Sequence, residues 1–459
     1  MTLQNNDLQR PIYHFLPPAN WMNDPNGIIQ WQGKYHLFYQ HNPNGAFWGT
    51  MHWGHAVSSD LVHWEHLPIA LAPTPDGPDA MGCFSGCAVN HDGVPTLIYT
   101  GVLGKRYEIQ SQCLATSTDG LLTWQKHAEP IIPGPPNGMN TPGFRDPYVW
   151  READGWYAIV GSGIPNSGGT VFLYRSTDLL QWEYLNPLLV GDPQKDGTMW
   201  ECPNFFALGD KHVLIMSPLP LREVHYMIGS YANHQFTPEI VGKLDTRGIL
   251  YAPLTMLDEQ GRRLMWGWFT EERSVDAQIA AGWSGAQSVP RILSLLPDGH
   301  LGIEPVPEIQ ALRGKHHHFD DPGAGTLDSV RGSALEIIAE FEPNADKCGL
   351  IVRRSPNGEE QTPIYYDPQR RQVVVERHQS SLDTPLERLE VPFDLPQGEN
   401  LKLHIFLDHS VIEIFVNGRA SIASRFYPTR ADSLGISVIA DGTARLQTLD
   451  VWEMASIWT

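Results

Sequence analysis

Three carboxylates stand out by their neighbours: Asp24 in "NWMNDPNGIIQW", Asp146 in "GFRDPYVW" and Glu201 in "MWECPNFF". Asp-Pro and Asn-Gly are turn dipeptides, and an Asp beside a turn caps nearby backbone N–H groups. Taken alone, Asp24 therefore reads as punctuation. Two neighbouring carboxyl groups with different roles are, however, the minimum for glycoside hydrolysis. One is ionised, as nucleophile or base, and the other holds a proton for the leaving oxygen. What matters is whether the fold brings the three together.

Internal repeats supply the positioning elements. "SSDLVHW", "STDGLLTW" and "STDLLQW" carry Asp60, Asp119 and Asp178, 59 residues apart at each step, and each follows an alternating, strand-like run. A longer unit recurs five times: a polar motif, a short apolar run, a turn glycine (Gly33, Gly93, Gly155, Gly209, Gly261) and a β-rich run. Five such units predict an all-β chain opening on a five-bladed β-propeller. A β-sandwich would not explain the recurrence. The polar motif precedes each turn glycine by eight or nine residues, at the start of the first strand. Equivalent positions in a propeller meet near one end of its axis, so Asp24, Ser85, Asp146, Glu201 and the Tyr251–Ala252 region are expected to converge. Like charges so close raise one another's pKa, a cost that a purely structural role gives little reason to bear. Arg145 is placed to hold Asp146 ionised. Trp21, Trp48, Phe84, Trp200 and Trp268 are candidate apolar walls for sugar faces. No glycine-rich phosphate loop, metal-ligand cluster or G-x-S-x-G elbow competes for the site, so no cofactor and no catalytic metal are expected.

Composition narrows the partners. A formal net charge of −20 disfavours nucleic acid and anionic membrane surfaces, both of which need a basic face. A small neutral substrate suits that field better. No stretch approaches a membrane span, and "MTLQNNDLQRP" lacks the layout of a signal peptide. The five cysteines, an odd count without the paired spacing of a zinc site, read as free thiols in a reducing cytoplasm. Oligomeric state is not legible.

"WMNDPNG", "FSG", "FRDP" and "WECP", in this order and spacing, closely resemble glycoside hydrolase family 32, which includes invertases, fructan hydrolases and some fructosyltransferases. The resemblance covers nearly the whole chain and continues through "YAP" at Tyr251 and "GW" at Trp268. It implies roles for each matching residue. Asp24 looks like the nucleophile of a covalent fructosyl-enzyme, Glu201 the general acid/base and Asp146 the transition-state stabiliser. Asn23, Gln40, Trp48, Phe84, Ser85 and Arg145 line the fructose pocket by the same implication, Cys202 sits beside the acid, and Tyr251 and Trp268 border the substrate. The expected reaction is release of terminal β-D-fructofuranosyl units from sucrose or short fructo-oligosaccharides. The alternatives are a fructosyltransferase, a hydrolase of an unusual fructose disaccharide, or, in another class, a non-catalytic fructan-binding protein. Two positions depart from many relatives: Asn204, where the family often has Asp, and Ile249, where it often has an acid. Both are expected near the leaving-group side.

The repeat stops near Pro305. The expected layout is a propeller over 1–304, a linker over 305–325 and a β-sandwich over 326–459. His316–His318 has metal-binding residue types, but a solvated linker or strand start is the simpler reading. Beyond it, alternating runs such as "ALEIIAEF" and "LKLHIFLDHSVIEIFVNG" predict strands, with a hairpin turn at Asn417–Gly418. Glu413, on a strand of that hairpin, is read as structural or as part of a domain or subunit contact, with no chemistry assigned.

Overall fold

The structure, a computed structural model, describes residues 7–342 and 346–458, and these form two compact units. The first unit spans Leu16–Gly302. It holds five antiparallel sheets in chain order. They start with the strands Asn20–Trp31, Gly82–His91, Phe144–Glu152, Met199–Leu208 and Leu250–Leu257. Each of these first strands neighbours the first strand of the next sheet, and the fifth returns to the first. The short strand Trp283–Ser284 adds in parallel to Asn20–Trp31, so late chain pairs with early chain.

Burial falls from the first strands outward. Lys34–Asn42, second in its sheet, is buried from Tyr35 to Asn42, whereas the outer strand Glu65–Leu71 is largely open to solvent. The first is thus covered on both faces, and its aromatic residues Tyr35, Phe38 and Tyr39 share that burial with the polar His36, Gln40, His41 and Asn42. Ile29, Phe38, Trp53, Leu97, Tyr99 and Leu121 form a buried cluster that packs the first sheet against the second.

The aspartate repeat makes the turn between the third and fourth strands. Asp60 Oδ1 accepts from the N–H groups of Val62 and His63 at 3.0 and 2.8 Å, and Asp178 Oδ1 does the same for Leu180 and Gln181 at 2.9 and 2.8 Å. This satisfied turn forces Leu61, Leu121 and Leu179 to φ of 68°, 68° and 65°, a conformation that costs a branched side chain energy. All three leucines are fully buried, which offsets the strain. Among the turn glycines, Gly33 and Gly261 adopt φ of 76° and 77° with open space around them, so backbone conformation rather than crowding selects glycine there.

The second unit comprises the described residues up to Phe15 and those from Ile303 on. Two six-stranded antiparallel sheets make it up. In one, Ala334–Phe341 buries Leu335, Ile337, Ala339 and Phe341 on one face, and Leu401–Asp408 buries Leu403, Ile405 and Leu407. Asn417 and Gly418, at φ of 50° and 66°, turn the chain between Val411–Val416 and Ala420–Arg425.

Two expectations are corrected here. The stretch 305–325 is not a linker. It contains the 3-10 helix Pro307–Leu312 and the strand Arg313–Asp320, which pairs with Leu446–Met454 at the edge of its sheet. An edge strand with a solvated face is rich in polar residues, and that composition imitates a linker. The N-terminal segment also joins this unit rather than the first. The N–H groups of Ile12, Tyr13 and His14 donate to the buried Asp408 at 2.8–2.9 Å. The His14 ring bridges Asp408 at 3.0 Å and Glu413 at 3.1 Å, so Glu413 is a structural carboxylate. Burial opposes charge on His14, but its hydrogen bonds to both carboxylates raise its pKa above the ordinary value.

Candidate active site

Each first strand of the first unit breaks register near its start. The breaks fall between Met22 and Pro25, Phe84 and Gly86, opposite Asp146–Pro147, between Glu201 and Asn204, and between Tyr251 and Leu254. A β-bulge bends its strand and re-aims a side chain. Asp146, Cys202 and Ala252 sit in these bulges at φ of 65°, 46° and 48°, strained values for residues other than glycine. The Asp146 N–H is held there by Thr100 Oγ1 at 2.8 Å, and Gln112 Oε1 anchors Thr100 in turn at 2.8 Å.

The bulges point into a cavity of about 570 Å³. Its lining includes Trp21, Asn23, Asp24, Gln40, Trp48, Phe84, Ser85, Arg145, Asp146, Glu201, Cys202, Tyr251 and Trp268. Trp200, expected as a wall, does not line it. Its ring is fully buried, with Nε1 donating to the Asp196 carbonyl at 2.6 Å. A larger cavity, about 750 Å³, opens against the other ends of the same strands. Ile29, Val89, Trp150, Phe206 and Met256 make it mainly apolar, and it holds none of the three converging carboxylates.

Asp24 Oδ2 accepts from Ser85 Oγ at 2.5 Å, and Asp24 Oδ1 from Asn23 Nδ2 at 3.0 Å. Trp21 Nε1 donates to Asn23 Oδ1 at 2.7 Å, which orients the amide. Burial raises the Asp24 pKa; Ser85 and Asn23 pull it back, and the charge of Glu201 pushes it up again. Asp146 Oδ2 accepts from the Cys202 N–H at 2.9 Å. Burial, countered by Arg145 and reinforced by the charges of Glu201 and Asp24, pushes Asp146 up to about 7. Cys202 Sγ lies 3.5 Å from an oxygen of each aspartate, so the thiol sits between Asp24 and Asp146 rather than only beside the acid. Burial and then those carboxylates drive its pKa well above the ordinary thiol value, which disfavours the thiolate that nucleophilic attack needs.

Glu201 is held from two sides. Arg145 donates Nε at 3.1 Å and Nη2 at 2.7 Å to Oε1, and Tyr251 OH donates to Oε2 at 2.8 Å. Arg145 therefore hydrogen-bonds Glu201, and its charge also favours the ionised form of Asp146. The bulge turns the Asp146 carboxyl toward Cys202 and leaves the guanidinium facing the next strand. Gln110 Oε1 accepts from Arg145 Nη1 at 3.3 Å and from the Phe144 N–H at 2.7 Å, and so steadies the guanidinium.

Two aromatic walls flank the carboxylates. Tyr107 packs edge-on against Trp48 at 5.2 Å and lies 5.5 Å from Phe84. Opposing them in composition, Trp268 meets Trp21 at 5.9 Å and Tyr251 at 6.5 Å. Sequence reasoning missed Met51, Arg106, Tyr107, Gln110, Leu219 and Arg222, all of which line the cavity. They sit outside the repeated motif, and only the fold brings them in. Arg106 and Arg222 are exposed and make no ion pair among the described residues, and the Arg222 guanidinium lies 5.9 Å from the Tyr251 ring centre.

Neither departing position lines the cavity. Asn204 is fully buried, donating to the carbonyls of Cys202 at 3.0 Å and Pro253 at 2.8 Å and accepting from the Thr255 N–H at 2.8 Å. It ties the fourth first-strand to the fifth. Ile249 is likewise buried, off the cavity.

With this geometry in view, comparison with known proteins gives a consistent result. Residues 14–305 match the glycosyl hydrolases family 32 N-terminal domain, and residues 308–453 match the family's C-terminal domain. The chain is 37% identical to a sucrose-6-phosphate hydrolase of Escherichia coli over 97% of this chain and 94% of the relative. It is 36% identical to a raffinose invertase of the same species over 96% and 94%. Among solved structures, fructan 1-exohydrolase IIa from Cichorium intybus superposes with a TM-score of 0.88, 30% identity and 98% coverage of both chains.

Proposed function

Because the chain belongs to glycosyl hydrolase family 32 and is a glycoside hydrolase, we propose that it releases terminal β-D-fructofuranosyl units from sucrose or short fructo-oligosaccharides by a retaining double displacement. The five sheets with their ring of first strands are read as the blades of a propeller, and the two six-stranded sheets as a sandwich. The observation that carries the reaction is the convergence of Asp24, Asp146 and Glu201 on one cavity, each with a different set of partners.

Asp24 attacks the anomeric carbon, with Ser85 and Asn23 aiming its two oxygens. Glu201, aimed by Arg145 and Tyr251, protonates the leaving oxygen. Positive charge builds on the fructosyl ring as the bond breaks, and Asp146 faces that charge. Water then attacks the fructosyl ester of Asp24 while Glu201 accepts its proton, and the configuration is restored. The aromatic walls cover the apolar faces of the sugar. An intact nucleophile and acid argue against a purely binding role, and transfer to a second sugar differs only in the acceptor.

Hydrolysing sucrose inside an NMR tube tests the reading. The first fructose released is the β-anomer, and added methanol yields methyl β-fructofuranoside. An α-anomer appearing first overturns the double displacement.

A second reading concerns the leaving group. Among the described residues Arg106 and Arg222 make no ion pair, and both line a cavity of a strongly acidic protein. A phosphate on the glucose unit would meet them, as the name of the E. coli relative suggests. A higher kcat/KM for sucrose 6-phosphate than for sucrose, reduced by Arg222→Gln on the phosphorylated substrate alone, supports it. Equal values for the two sugars refute it. Five unpaired thiols, four of them buried, favour the cytoplasm as the site of action. Among the described residues no helix is long and apolar enough to cross a membrane.

A further inference from the structure

The strand Arg313–Asp320, which composition disguised as a linker, places His316 and His318 on one face, two residues apart. The neighbouring strand Leu446–Met454 brings Asp450 directly opposite His318, and Trp452 opposite His316. His316 Nε2 lies 2.7 Å and His318 Nδ1 2.8 Å from the same oxygen, Asp450 Oδ1, and the three atoms all fall within 4.8 Å of one another. We propose that these three side chains form a surface site for one divalent transition-metal ion, with zinc as its ligand.

Several features point past a chance cluster. The other ring nitrogen of His318, Nε2, lies 3.2 Å from Asp320 Oδ1. Donation from Nε2 to that carboxylate leaves the Nδ1 lone pair facing Asp450. This is the carboxylate–histidine arrangement that orients metal-bound imidazoles. At 2.8 Å the Nδ1–Oδ1 pair is held by a proton or by a metal ion, and a metal ion that displaces the proton serves both imidazoles and the carboxylate together. The His316 ring stacks on Trp452 at 4.6 Å with planes 4° apart, which fixes its direction. Arg313, whose guanidinium lies on the Trp452 ring, is engaged elsewhere, paired with both oxygens of Glu336 at 2.7 Å.

The distances are close to those of a metal site. Bonds of about 2.0–2.1 Å in a tetrahedron put donor atoms about 3.3 Å apart. Spreading from 2.7–2.8 Å takes roughly half an ångström of side-chain rotation. With the imidazoles 44% and 46% exposed, His318 can turn and His316 can shift within the plane of its stack on Trp452, which leaves room for water as the fourth ligand. Two imidazoles and one carboxylate suit zinc, nickel or copper, and not the all-oxygen shells of calcium or magnesium. The net charge of −20 also concentrates divalent cations near the surface. Bound metal would clamp the edge strand to its neighbour, a structural role remote in chemistry from sugar cleavage.

Isothermal titration of the full, metal-stripped chain with zinc chloride at pH 7.5 tests the proposal. The expected result is one saturable equivalent, lost in the His316→Ala/His318→Ala double variant and weakened about 10- to 100-fold in Asp320→Asn. Sucrose hydrolysis by the variants reports that they remain folded. Nickel chloride should quench part of the tryptophan fluorescence of the parent and less of it in Trp452→Phe. Absence of saturable binding to the parent, or one equivalent retained by the folded double variant, overturns the proposal.

Discussion

Ser85→Ala is the sharpest probe of how the site is tuned. The hydroxyl donates to Asp24 Oδ2 at 2.5 Å, and among the interactions that lower the Asp24 pKa it ranks first. A hydrogen bond to a charged acceptor contributes about 1.5–3 kcal/mol, and the open cavity around a half-buried Asp24 argues for the lower end. Since 1.36 kcal/mol corresponds to about one pKa unit, losing the hydroxyl should raise the Asp24 pKa by about one unit. Protonated Asp24 cannot attack, so activity falls on the acid side. The acid limb of kcat/KM against pH should therefore move upward by about one unit, with a smaller loss on the plateau where Asp24 is ionised in both proteins. The three carboxylates titrate as a coupled set, so the limb itself belongs to all of them. The shift does not, because of the three carboxylates it is Asp24 that accepts the Ser85 hydroxyl. The assay is a pH profile of sucrose hydrolysis, with circular dichroism at each pH to confirm the fold. A limb that stays in place in a folded variant puts the governing ionisation elsewhere in the trio and refutes the assignment.

Three further outcomes are expected. Asp24→Asn should abolish turnover without altering the thermal melt, and an active, folded variant removes Asp24 from the nucleophile role. Glu201→Gln should lose most activity on sucrose and least on a fructoside with a good leaving group such as p-nitrophenol, whereas a uniform loss argues against its acting as the acid. His14→Ala should leave Asp408 and Glu413 buried without their bridging imidazole and destabilise by about 3–5 kcal/mol, read as a lower melting temperature. The raised His14 pKa also carries a sign: its stabilisation is full below the ordinary histidine value and disappears as pH rises through the folded value. The parent should lose stability from neutral into alkaline pH with a slope that the variant lacks, and equal slopes would contradict the bridge.

Much of the molecule was legible because its signals are local and repeated. The alternation of the strands, the turn glycines and the Asp60, Asp119 and Asp178 turns each report a conformation that a few adjacent residues impose on themselves. The spaced polar motifs identified the family for a similar reason: the chemistry needs those residue types at the start of successive first strands. The strand Arg313–Asp320 was not legible, since its polar face at a sheet edge has the composition of a linker. Trp200 was misplaced because neighbours on a strand point to opposite faces, and Asn204 because it lies beyond the bulge that begins at Glu201.

By itself, then, the sequence determined the strand period, the five recurrences and the presence of three carboxylates in matching contexts, all properties of short windows. Only the tertiary structure decided which carboxylate Arg145 binds, that Cys202 lies between Asp24 and Asp146, and that Tyr251 reaches Glu201. It also decided that residues near His14 bind Asp408, almost four hundred positions away. The physical reason is common to these cases. Each depends on where a bulge or a distant strand aims a side chain within a few tenths of an ångström, and no spacing along the chain encodes that direction.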